Sequence, residues 1–367
     1  MSDDSLTEFV ESICGESHLR VQDDLGDGFV RLRSSEAERR QAAQDIRCSE
    51  DIVIEMLRNA RDANARNIFV ATGRTGDTRR ITMIDDGDGV PKHLQGTIFE
   101  PRVTSKLDSM HMDKWGVHGR GMALYSISVN AKSAQIVSSG PELGSAFVIE
   151  SDLSQLPEKT DQSSFPTFEL GDSGNVSVRG PKNIIRTSCE FAIESRSRCN
   201  VFLGSATEIA ACLLAYGRVC GRAAFTLSAG QKLACLREVP ICKRLACAAD
   251  PAAFRAIAES LGLDMSERSA RRVLDGTIAS IDPLLDRINI KGLSASDPVS
   301  PLIKKKNPPK NARGLKISDQ DKRRFAASIA QAFEDLAADY YLNPNVEPSI
   351  RVTKDAIHVV IPVVNDD

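Results

Sequence analysis

Three clusters of residues capable of chemistry follow one another between residues 55 and 122. The first is EMLRNARDA, in which Glu55, Asn59 and Asp62 recur at steps of four and three residues and therefore project from one face of a helix. An asparagine amide oxygen such as that of Asn59 is a hard, neutral ligand of the kind Mg²⁺ accepts when triphosphate oxygens and waters complete its octahedron. One turn earlier, Glu55 stands where it can orient or deprotonate a water attacking a terminal phosphate. The second cluster, IDDGDGV, sets Asp85 before Gly87 and Gly89. A buried carboxylate can accept from an adenine amino group, and glycines let the backbone approach a planar base in dihedrals other residues avoid. The third, GVHGRGMALYSI, places Gly116, Gly119, Arg120, Gly121 and Met122 at a helix start, where free N–H groups and the helix dipole favour phosphate. Just upstream, PRVTSK offers the hydroxyls of Thr104 and Ser105 and the ammonium of Lys106 to the same anion, and a later pair, Gly144 and Ser145, falls at a sheet edge.

Each cluster alone has an ordinary structural explanation. Arg58, Asn59, Arg61 and Asp62 would suit a solvated helix face, Asp85 with its glycines would suit a hairpin turn, and Lys106 reads equally as a surface lysine. Their order along one stretch of chain is what argues for a single site. His111, His118 and His358 have no partners at metal spacing and read as surface or lid residues. Of the nine cysteines, seven fall between Cys189 and Cys247 with no C-x-x-C and no histidine among them, which points to reduced, buried core residues.

The elements that position these residues can be read in outline. GFVRLR suggests a strand, and SSEAERRQAAQDIR a helix started by Ser35 and Glu38 at capping-box spacing. Residues 49–63 continue as helix without Gly or Pro, then NIFVAT and RRITMI read as strands. PKHLQGTIF suggests a short helix, residues 100–118 a lid-like loop, GRGMALYSISVN a helix, and SAQIVSS and SAFVIE closing strands. This predicts an α/β sandwich with a mixed sheet at about 45–152, with residues 1–48 leading into it. Polar turn residues in EKTDQSSFP suggest a boundary, and an α-rich α+β second domain is expected over 165–300. There TFEL, NVSV, EFAIES and NVFLG read as short strands, and SATEIAACLLAYGR as a helix capped by Ser205 and Glu208. Asp250-Pro251 starts another helix that Gly262 stops, and Ser266 starts one that Pro283 kinks or ends. The pair resembles a helix-turn-helix with Arg268, Arg271 and Arg272 on its second member, although the turn is about two residues too long. A basic, Pro-containing linker (301–316) and a C-terminal amphipathic helix with a hairpin (317–367) complete the chain; the linker's Lys304, Lys305, Lys306 and Lys310 can contact phosphates.

The three clusters resemble the N box, the D-x-G-x-G box and the glycine-rich lid of the GHKL superfamily (gyrase, heat-shock chaperone, histidine kinase, MutL), over residues about 45–152. The resemblance implies a Bergerat-type sandwich that binds ATP and Mg²⁺. In it Asn59 ligates the metal, Glu55 is the general base, Asp85 contacts adenine, Gly87 and Gly89 shape the pocket, and Gly119 and Gly121 hold phosphates. IFEPRVTSK and PELGSAFVIE look like histidine kinases, whereas TSK before a glycine lid also occurs in MutL-like proteins. Glu55 stands where many kinases have Asn, and His18 lacks the helical context of a phosphoacceptor, so an orthodox sensor kinase is rejected. GVHGRGMAL also departs from the commoner lid pattern at His118 and Arg120. The resemblance further implies a homodimer formed on nucleotide binding.

The remaining composition sets limits. At 367 residues, 41% hydrophobic and 26% charged, the chain has material for a large core. No apolar run reaches the roughly 20 residues of a membrane span, and MSDDSLTEF lacks a signal-peptide pattern, so a cytoplasmic, non-membrane protein is expected. A net charge of −3 argues against a chain covered in nucleic-acid-binding surface and leaves DNA to a local patch. The expected function is Mg-dependent ATP hydrolysis that drives a conformational switch toward a protein partner, with nucleotide sensing without turnover and a DNA-associated ATPase as alternatives.

Overall fold

The computed structural model describes residues 21–105, 111–113, 116–118, 121–170, 176–219 and 233–291, then scattered positions from 322 and residues 348–352 and 357–362. Contacts divide the chain into two units, Met1–Ala295 and Ser296–Asp367.

The first unit opens with a hairpin of β1 (Val21–Gly26) and β2 (Phe29–Leu32). The helix α1 (Glu36–Asp45) follows, and its start is the expected capping box: Ser35 Oγ accepts from the Glu38 N–H, and the Glu38 carboxylate accepts from the Ser35 N–H at 2.9 Å. α2 (Ser49–Asp62) buries Ile52, Val53, Met56, Leu57 and Ala60, a helical period that fixes which side faces the core. β3 (Asn67–Thr75) and β4 (Thr78–Asp85) form the next hairpin. The short helix expected at PKHLQGTIF is instead two 3-10 turns, Lys92–Leu94 and Thr97–Phe99, with Gly96 between them. β5 (Val103–Thr104) joins β2, while β6 (His111–Asp113) and β7 (Gly116–His118) pair with each other. α3 (Ala123–Asn130), β8 (Ser133–Gly140) and β9 (Gly144–Asp152) complete the expected series.

Beyond it, β10 (Thr167–Leu170) and β11 (Val176–Arg179) are strands as predicted and pair with each other, but EFAIES is not a strand. It is the end of α4 (Ile184–Glu194), which Asn183 starts by accepting from the Arg186 N–H at 2.8 Å. NVFLG forms β12 (Asn200–Gly204), and this strand pairs in parallel with β3. The central sheet therefore has five strands in the order β12-β3-β4-β9-β8, all pairs but the first antiparallel. The division expected near residue 155 is thus not where the compact unit ends: a strand from beyond it completes the sheet, and the unit runs to Ala295.

The sheet is covered on both faces. On one side, Phe69, Ala71, Ile84 and Ala146 pack with α5 (Ala206–Val219), a 3-10 segment (Ile241–Cys247), α6 (Pro251–Ser260) and α7 (Glu267–Leu274) in a single apolar cluster. Phe69 stacks on Phe202 at 4.7 Å and meets Tyr216 edge-on at 5.8 Å. Asp250 caps α6 as expected, and the turn before α7 sits on the sheet: Thr82 Oγ1 donates to the Gly262 carbonyl at 2.8 Å, and a Cβ at Gly262 would lie 2.2 Å from Val148 Cγ2. α7 ends at Leu274, before Gly276 (φ +80), so Pro283 does not end it; Pro283 instead precedes a short α8 (Leu284–Arg287). β13 (Ile290–Lys291) runs parallel to β10. Of the described cysteines, Cys189, Cys199, Cys212, Cys242 and Cys247 are buried, and burial pushes the thiols of Cys189 up to about 12 and of Cys212 up to about 11.

In the second unit the described positions between Lys322 and Ala337 are helical, and β14 (Ser349–Val352) pairs antiparallel with β15 (Ile357–Val360), the expected hairpin. The basic linker lies outside the described residues. Among the described residues no helix is long and apolar enough to cross a membrane.

Candidate functional site

Strand alternation sends Met83 and Asp85 of β4, and Ser145 and Phe147 of β9, to the face opposite Ile84 and Ala146. There they line a cavity of about 1040 Å³ together with Glu55, Asn59 and Asp62 of α2. Thr104, Ser105, Gly121 and Met122 line it as well. Gly116 is placed as backbone in β7, and Lys106, Gly119 and Arg120 lie outside the described residues. Three sequence clusters therefore meet at one concave site.

The α2 wall carries its groups in distinct states. Glu55 is paired with Arg58 at 2.5 Å, and the Arg58 side chain is only 4% exposed, so a buried guanidinium holds the carboxylate. Asp62 accepts from Arg61 Nε at 3.0 Å. The Nδ2 of Asn59 is buried with no hydrogen-bond partner among the described residues, a desolvation cost that a ligand at this amide would relieve.

Asp85 is the floor of the cavity at 3% exposure. Burial pushes its carboxyl up to about 7, reinforced by the neighbouring Asp86 and Asp88 and opposed by the backbone N–H groups of Gly87, at 2.9 Å, and of Ser145. The glycines beside it are packed against the chain itself, and only Gly89 of the two lines the cavity. A Cβ at Gly87 would lie 2.4 Å from the Ala63 carbonyl at the end of α2, and Gly87 does not line the cavity. Gly89 does line it, but with φ +75 and a Cβ position 1.9 Å from the Gly140 carbonyl. Both glycines lock the Asp85 loop to α2 and to the β8–β9 turn.

The sequence does not mark the part of the wall that precedes α2. Phe29, Gln41, Gln44, Asp45 and Arg47, from the hairpin, α1 and the connection to α2, also line the cavity. This wall is tied down by Arg102, a buried residue in the left-handed region (φ 63). Its N–H donates to the Gly121 carbonyl at 2.9 Å, its carbonyl accepts from the Leu32 N–H at 3.0 Å, and its guanidinium pairs with Glu38. Arg31 similarly pairs with Asp23 and Glu100. Asp86 was also missed: it accepts from the N–H groups of Arg66 and Asn67, from Asn67 Nδ2 and from the Tyr216 hydroxyl at 3.1 Å, so it anchors the start of β3 to α5 beside the site. No spacing rule marks such a residue, since its partners come from distant parts of the chain.

The family described as "Histidine kinase-, DNA gyrase B-, and HSP90-like ATPase" matches residues 45–155. This stretch is a GHKL-type domain. Its sheet, helices and cavity agree with the GHKL sandwich, and its membership supports an ATP-binding protein. Within it the chain is 35% identical over 111 residues to the DNA mismatch repair protein MutL of Clostridium beijerinckii, covering 28% of this chain and 16% of that protein. It is 34% identical over 105 residues to MutL of Staphylococcus aureus (strain Newman), covering 28% and 15%. The match thus spans about a sixth of each relative, confined to the GHKL domain.

The described residues fit an ATP·Mg²⁺ ligand. The cavity is lined by the carboxyls of Asp45, Glu55, Asp62, Asp85 and Asp88 against the guanidiniums of Arg47 and Arg58, so a polyphosphate gains from a cation bound with it. Asn59 lines the same cavity with its amide nitrogen unpartnered among the described residues, and a half turn of the amide would present its neutral oxygen to such a cation.

Proposed function

We propose that this chain hydrolyses ATP with Mg²⁺ in the cavity beneath α2 and uses the nucleotide to order the segment around residues 100–120, changing how a partner docks. The observation that carries this reading is the convergence of Glu55, Asn59 and Asp85 on one cavity, with the Asn59 amide nitrogen lacking a partner among the described residues. In this reading the Asp85 carboxylate accepts from the adenine amino group, Asn59 holds the metal, and Glu55, steadied by Arg58, takes the proton of the attacking water. Bound Mg²⁺ supplies neutralisation of phosphate charge. Gly121, Met122, Thr104 and Ser105 of the cavity lining take the phosphate side in this reading, and the sequence pattern assigns Lys106, Gly116, Gly119 and Arg120 of the same stretch to phosphate binding.

ATP turnover by the full chain with Mg²⁺ tests this, with nucleotide binding followed on the same samples. Glu55→Ala is expected to lower turnover at least about a hundredfold while keeping binding, and Asn59→Ala to lose both turnover and Mg-dependent binding. Binding without turnover in the wild type would replace hydrolysis with nucleotide sensing.

A DNA-associated ATPase is the second reading, favoured by the MutL relatives and by the exposed Arg268, Arg271 and Arg272 on α7, whose other side is buried on the sheet. Duplex DNA binding that weakens with salt and is lost when these arginines become alanine would support it.

A further inference from the structure

Resting on the ATP reading above, we infer that Arg47 is a specificity-determining residue that engages the terminal phosphate, so that the cavity prefers a nucleoside triphosphate to a diphosphate. The cavity has a direction. Its α2 wall runs from Arg47, just before the Cys48 N-cap, to Ala63, and the helix between them spans roughly 20 Å at 1.5 Å per residue. The Asp85 end is fixed at the C-terminus of this helix, because the Asp88 N–H donates to the Ala63 carbonyl at 2.8 Å and Gly87 abuts the same carbonyl. Glu55 and Asn59 lie between the two ends. A nucleotide with its base on Asp85 and its phosphates passing Asn59 therefore points its last phosphate toward Arg47.

Charge points the same way. Among the described residues the cavity has two guanidiniums, and that of Arg58 is committed to Glu55. Arg47 is exposed, and no carboxylate among the described residues pairs with its side chain. Its backbone is nonetheless fixed, since the Arg47 N–H donates to Asp51 Oδ2 at 2.9 Å. An uncommitted guanidinium on an anchored backbone, at the phosphate end of an otherwise acidic wall, presents the planar fork that matches phosphate oxygens.

The test compares affinities of the full chain for ADP and for an ATP analogue with a nonhydrolysable β–γ bridge, both with Mg²⁺, in the wild type, Arg47→Gln and Arg47→Lys. The expected result is that Arg47→Gln weakens the triphosphate about tenfold, leaves ADP within about twofold and leaves the thermal midpoint unchanged, while Arg47→Lys recovers part of the loss. Equal weakening of both nucleotides, or no change in either, overturns the role of Arg47 and leaves the ATP reading standing. A wild type that binds neither nucleotide overturns the ATP reading itself.

Discussion

The two faces of the central sheet use the same strands for opposite ends. Toward α5, α6 and α7, Phe69, Ile84 and Ala146 enter a cluster made of fully apolar neighbours, such as Leu213, Phe254 and Ile257. Toward α2, the adjacent residues of the same strands include Asp85 and Ser145, and the chain leaves a cavity of about 1040 Å³ instead of filling the space. One face is built for cohesion, and the other keeps a buried carboxyl and an unpartnered amide that cost stability. The difference teaches that a functional layer can be left underpacked when the layer behind it is closed by chain from outside the nucleotide-binding motif region.

Phe254→Ala probes the cohesive face most severely. With the ring fully buried, the expected loss is about 3–5 kcal/mol in a denaturant titration, with nucleotide affinity of the still-folded fraction unchanged. If that variant lost affinity at full stability, the two faces would not be separable. Next in size is Gly89→Ala at the seam between cavity and sheet. A Cβ there meets the Gly140 carbonyl in a positive-φ backbone, so about 2 kcal/mol or more should be lost and the Asp85 loop displaced, lowering nucleotide affinity as well.

The pH dependence of the cavity face follows from Asp85. Its folded-state carboxyl, held up to about 7, binds a proton that the unfolded chain has released above the ordinary value of 3.8, so its contribution to stability is present at low pH and is lost as pH rises from about 4 through 7. Nucleotide binding runs the other way, because the ionised form is the better acceptor for an adenine amino group. Affinity should be flat above about pH 7 and fall toward tenfold per unit below it, about 1.4 kcal/mol, and Asp85→Asn should abolish the slope. A slope that survives in Asp85→Asn would assign it elsewhere. The smallest stability effect is expected for Asn59→Ala, within about 0.5 kcal/mol or slightly stabilising, since it removes a buried amide nitrogen without a partner, even as Mg-dependent binding is lost.

The candidate site was legible wherever its geometry is local. Glu55, Asn59 and Asp62 share a helix face by spacing alone, and the Ser35, Ser205 and Asp250 caps act within three residues. EFAIES was misread although helical cues were present: Asn183 caps the helix, and Ile184, Ser188, Cys189, Phe191 and Ala192 are buried at helical period. NIFVA held another cue, since a run of apolar residues without alternation is what a strand covered on both faces requires.

By itself, the sequence determined which residue types stand at helical and turn spacing, and hence that an acid, an amide and a second acid can share one surface. Tertiary structure alone decided that β12 would pair with β3, that Asp86 would tie Asn67 of β3 to Tyr216, that Gly87 would face Ala63, and that Arg47 would border the same cavity as Asp85. The physical reason is one of range. Capping and periodicity are set by hydrogen bonds and side-chain directions within one or two turns, whereas strand pairing and desolvation depend on which distant surfaces exclude water from one another.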